Sequence, residues 1–110
     1  MTIPRSDVLQ GTLEMMVLKL LTVEPAHGWG LSFKLRHVSH EVFDVNQGSL
    51  YPALQRLLSR GLIRSQWRAS ANNRRARYYE ITKEGLRALD HAVGDWERCS
   101  AAVNRVLRFA

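Results

Sequence analysis

Between Gly61 and Lys83 the hydrophobic period of this chain changes from three-and-four to two and back again, and that switch restricts the fold more than any other feature. Leu62 to Arg68 and Ala76 to Thr82 are rich in Ile, Trp, Tyr and Arg, and they flank a polar run from Ala69 to Arg75. The pattern predicts a β-hairpin. Tyr78 and Tyr79 then point to opposite faces of its second strand, so one is expected in the core and the other outside it.

Three helical stripes precede the hairpin. Leu9, Leu13, Met16, Val17, Leu20 and Leu21 share one face of a first helix, which Ser6 or Asp7 can cap and Pro25 ends. Pro25 to Gly30 is a turn by composition, after which Leu31, Leu35 and Val38 mark a second, shorter helix. A third covers about Gln47 to Arg60, with Leu50, Leu54, Leu57 and Leu58 on its core side and Gly61 at its end. Pro52 belongs in its opening turns, and either Asn46 or Ser49 can cap it.

After the hairpin, Thr82 is a good cap for a long last helix. Leu86, Leu89, Val93, Trp96, Ser100, Val103 and Leu107 form a heptad seam with one polar seat, flanked by Ala92, Cys99 and Val106. So broad an apolar face is expected to pack both on its own domain and on a second copy of the chain. The fold class is therefore mainly α with a small β-hairpin wing: a winged helix-turn-helix over residues 1–82, continuous with a C-terminal dimerisation helix over 83–110.

Charge placement points to a polyanionic partner. The chain of 110 residues carries a net charge of +6. Residues 1–45 hold four Lys/Arg against five Asp/Glu, and residues 83–110 hold five against four. The excess lies in residues 46–82, where seven arginines meet only Glu80. In a winged helix-turn-helix the third helix enters the major groove of double-stranded DNA and the hairpin touches its backbone.

Projected at 100° per residue, Gly48, Ser49, Pro52, Gln55, Arg56 and Ser59 lie opposite the leucines, with Tyr51 on the flank. The small residues allow close approach to phosphate, while Gln55 and Arg56 carry donors that pair with adenine and guanine edges. Arg68, Arg74, Arg75 and Arg77 are expected to bind phosphates or to enter a minor groove.

Four segments are together distinctive: His27-Gly-Trp-Gly30, Gly48-Ser-Leu-Tyr-Pro-Ala-Leu54, Arg60-Gly-Leu-Ile63 and Arg77-Tyr-Tyr-Glu-Ile-Thr-Lys-Glu-Gly85. In them the chain resembles the PadR-like transcriptional regulators, in their short form with a single C-terminal helix. Trp29 stands where that family more often has tyrosine. The resemblance implies a homodimeric regulator, most often a repressor and in many members released by a small molecule; the two-fold symmetry of such a dimer in turn predicts an inverted-repeat operator. The resemblance also implies that Trp96 lines an apolar effector cavity at the dimer interface, whereas its heptad position alone makes it a packing residue of that interface.

Other classes are disfavoured. His27, His37, His40 and His91 lack clustered carboxylates or cysteines at ligand spacing, so neither a metal nor a cofactor is expected. No nucleophile stands with a base, which argues against an enzyme. The apolar run around Met15 to Leu21 is interrupted by Lys19 and falls short of the ~20 residues that cross a bilayer, and no secretory leader precedes it. A cytoplasmic protein without a membrane partner is expected. Cys99, the one cysteine, reads as a small buried residue, with an intermolecular bridge as the alternative. A winged-helix module that binds protein rather than DNA is the competing function, and such a module has no need of an arginine-rich hairpin.

Overall fold

The computed structural model describes residues 7–110, with side chains from Gly11 onward. Ser6 and the side chains of Asp7, Val8 and Leu9 lie outside the described part. The elements run α1 (Asp7–Leu21), β1 (Ala26–His27), α2 (Gly28–Val38), α3 (Gln47–Ser59), β2 (Ile63–Ala69), β3 (Arg75–Ile81) and α4 (Lys83–Leu107). β1, which the sequence period does not announce, makes the sheet three-stranded and antiparallel in the order β1-β3-β2. Ala26 and His27 pair with Tyr79 and Tyr78 on the open edge of β3.

Local chemistry explains the boundaries. α1 closes at Leu21, ahead of Pro25, where the Thr22 hydroxyl donates to the Lys19 carbonyl at 2.6 Å. α2 starts on an unconventional cap: His27 Nδ1 accepts the Gly30 N–H at 3.0 Å. Asn46 caps α3 by accepting the Ser49 N–H at 2.9 Å, which settles the choice between the two candidates. Gly61, at φ +72°, ends the same helix: its N–H reaches the Leu58 carbonyl and the Leu62 N–H reaches that of Leu57. Thr82 then does two things with one hydroxyl, donating to the Gly61 carbonyl at 2.7 Å and accepting the Gly85 N–H at 3.1 Å. The end of α3 and the start of α4 are thereby tied together.

One apolar core joins these elements. Leu13, Val17, Leu18 and Leu21 of α1 meet Leu31 and Leu35 of α2, Leu50, Ala53, Leu54 and Leu57 of α3, and Ile63 and Tyr79 of the sheet. Val38 does not join them; it ends α2 63% exposed. α4 enters this core only through its first turns. Leu89 is buried there and Val93 packs against it, so these two residues of the expected intermolecular seam serve the protomer's own core. From Asp95 onward α4 is largely exposed. A 25-residue helix is about 37 Å long, and its projecting half stretches the molecule to 57 × 30 × 22 Å.

Candidate nucleic-acid interface

The outward surface of α3 is small and polar at its start. Gly48, Pro52 and Gln55 are exposed, Tyr51 is half exposed on the flank, and Ser49 is half-buried with its N–H engaged by Asn46. Pro52 is the sixth residue of the helix and has no N–H to give the Gly48 carbonyl. A residue that sequence reasoning passed over sets the angle of this helix: Gln47 Nε2 donates to Ser32 Oγ at 2.8 Å and to the Gly28 carbonyl at 3.3 Å, holding the first turn of α3 against α2.

Arg56 departs from the expectation. Instead of lying open beside Gln55, its guanidinium turns back to α1, where Nε donates to Glu14 Oε1. Arg60 Nη1 stands 3.6 Å from the other oxygen of the same carboxylate. The helical wheel puts Arg56 on the outer face, but its long side chain reaches a partner 42 positions away that no local pattern reveals.

Strand alternation divides the wing arginines between two surfaces. Gln66 pairs with Tyr78 and Arg68 with Ala76, so Arg68 and Tyr78 share the face turned away from the core. The Arg68 guanidinium lies 4.5 Å from the Tyr78 ring centre, and His27 meets the same ring edge-on at 5.1 Å. On the opposite face Trp67 pairs with Arg77 and Ala69 with Arg75. Arg75 lies over Trp67, and Arg77 Nε donates to Ser65 Oγ at 2.8 Å. Arg74 is exposed at the turn, where Ser70 N–H bonds the Arg74 carbonyl and Asn73 adopts φ 63°.

The charge of this region is thus partly neutralised and partly not. Arg56 and Arg60 face Glu14, and Arg64 faces Glu80. Among the described residues no carboxylate lies within ion-pair reach of Arg68, Arg74, Arg75 or Arg77. Of the two adjacent tyrosines, Tyr79 is the buried one. Burial pushes its phenol up from the ordinary tyrosine range; Arg77 opposes that shift and Tyr51 adds to it. Its hydroxyl has no hydrogen-bond partner among the described residues.

Most of the expected seam of α4 is open: Leu86 in the first turn, and Trp96, Val103 and Leu107 beyond the core, are all exposed in the protomer. Cys99 is exposed as well, contrary to the buried reading, because it falls on the half of α4 that has left the core. Among the described residues, no helix is long and apolar enough to cross a membrane.

Three helices, a small sheet with a basic hairpin and a long last helix make this a winged helix-turn-helix protein. The model of the Transcriptional regulator PadR-like family matches residues 17–91. The chain is 33% identical to a PadR-like transcriptional regulator from Bacillus cereus, with a TM-score of 0.79 covering 96% of this chain and 100% of that one. To a PadR family transcriptional regulator from Eggerthella lenta it is 34% identical, with a TM-score of 0.79 covering 94% of this chain and 88% of that one. A Streptococcus transcriptional regulator is 28% identical, with a TM-score of 0.83 covering 94% and 100%. The chain belongs to the PadR-like family of transcriptional regulators, which is not a family of enzymes.

Proposed function

We propose that this chain is a cytoplasmic repressor that binds an inverted-repeat DNA operator as a homodimer. In this reading residues 1–82 contact DNA and residues 83–110 join the two copies. The observation that carries it is the wing: four arginines whose charge no carboxylate among the described residues neutralises, beside a helix with a small, polar outer face. Gly48, Ser49, Tyr51, Pro52 and Gln55 approach the groove, and Arg68, Arg74, Arg75 and Arg77 take backbone phosphates. Arg56 is left out of this set because Glu14 engages it.

Replacing Arg74 and Arg75 together with glutamine tests the reading. Binding of every DNA sequence is expected to weaken alike, and the salt dependence of log K to flatten by about two, near 0.9 for each phosphate that is no longer neutralised. Fluorescence anisotropy at several salt concentrations measures both. An unchanged slope would remove these arginines from the interface. A wild-type chain that fails to stay on a DNA column at low salt would favour the protein-binding module instead.

Release by a small molecule belongs to the same proposal. Trp96 is 44% exposed on the open side of α4, where its copy across the two-fold axis can sandwich a flat apolar ligand. A ligand preferring a helix spacing that DNA does not by ~1–3 kcal/mol lowers operator affinity about 5- to 150-fold. Tryptophan quenching by aromatic dyes, lost in Trp96→Leu and accompanied by release of DNA, is the expected result. Dyes that do neither leave Trp96 as interface packing.

A further inference from the structure

Glu14 is the one carboxylate that α1 directs at α3 among the described residues, and it is well enclosed. Its side chain is 13% exposed, while those of its partners Arg56 and Arg60 are 35% and 59% exposed. A carboxylate so far out of water is unfavourable unless both oxygens are matched, and here each faces a guanidinium. Two of the seven arginines in residues 46–82 are therefore neutralised from outside that segment. Both sit in the second half of α3 or at its end, whereas the outer face of the first half carries no charge.

We propose that Glu14 is a positioning residue that withholds Arg56 and Arg60 from the DNA backbone and so limits the salt-dependent, sequence-independent part of binding. Phosphate contacts raise affinity for every sequence equally, while discrimination comes from base edges. Two unrestrained arginines on the reading helix would tighten binding to any duplex and make it more salt-dependent without improving discrimination. With Glu14 in place, the charge that meets phosphate is confined to the wing, and α3 meets the groove through its polar side chains. The inference rests on the DNA-binding proposal above.

The test uses the full chain and a 30-base-pair duplex of random sequence, with affinity measured between 50 and 200 mM salt. Glu14→Gln keeps the side-chain shape and removes the charge. Its salt slope is expected to be steeper than wild type by about 1–2, an extra fall of about 3- to 12-fold in affinity over that range. Adding Arg56→Gln and Arg60→Gln to the same chain should restore the wild-type slope, which a purely structural role for Glu14 would not do. A folded Glu14→Gln protein with an unchanged slope overturns the proposal. Should that variant fail to fold, Arg56→Gln alone decides, since Glu14 then keeps Arg60: an unchanged slope supports the proposal, and flattening by about one shows that Arg56 reaches phosphate despite Glu14. A wild-type chain that binds no duplex at any salt concentration refutes DNA binding itself, an outcome distinct from an unchanged slope.

Discussion

Gly85→Ala is expected to lower stability by about 3 kcal/mol, at the upper end of what overpacking a close approach costs. A Cβ at this position would stand 2.1 Å from the Leu62 carbonyl oxygen, 2.6 Å from Ile81 Cγ1 and 3.1 Å from the Leu62 carbonyl carbon. Two of those three atoms are backbone, so no rotamer change relieves the overlap. Leu62 cannot retreat either, because its carbonyl accepts the Thr82 N–H and its own N–H closes the end of α3. The sign is the diagnostic part. Glycine to alanine inside a helix ordinarily stabilises by about 0.5–1 kcal/mol, and Gly11→Ala, whose Cβ would meet no atom within 4 Å, should do so. In thermal melts followed by circular dichroism the Gly85 variant should lose roughly 10–20 °C. A melting temperature at or above wild type would mean that α4 does not sit this closely on the sheet.

Val103→Asp is expected to split the proposed dimer and to cut affinity for its operator by about 10²- to 10⁴-fold, the advantage that joining two half-sites supplies. Val103 is 50% exposed in the protomer, on the half of α4 that makes no part of the core. A carboxylate there leaves the fold intact but places an unpaired charge in an apolar interface. Val93 would be a poorer choice, since it packs against the protomer's own core and its replacement confounds unfolding with dissociation. Sedimentation at micromolar concentration should give a dimer for wild type and a monomer for the variant. Footprinting should show two half-sites with centres about one helical turn, ~34 Å, apart for the dimer. A monomeric wild type, or a dimeric variant, would refute this seam.

The two variants act on opposite ends of α4, and those ends differ in how far the sequence discloses them. The heptad spacing from Leu86 to Leu107 is uniform, yet Leu89 is 7% exposed while Leu107 is left in water. Period alone states that a face is apolar. It does not state which neighbour covers each turn of it, and here the core runs out near Val93. Cys99 was legible as apolar and illegible as exposed for the same reason.

What the sequence by itself determined is whatever is decided within a turn or two of chain. The four helices, the hairpin, the glycine stop at Gly61 and the cap at Thr82 follow from residues at most four apart, whose backbone preferences act before any packing. Tertiary structure decided the rest. β1 is two residues long, too short to carry a period, and exists because the edge of β3 offers it hydrogen bonds. His27 caps α2 although histidine is no usual cap, because β1 and Tyr78 hold its ring in place. Arg56 belongs to Glu14 rather than to the outer surface, because a long, charged side chain settles on the partner that packing brings within reach, however distant in sequence.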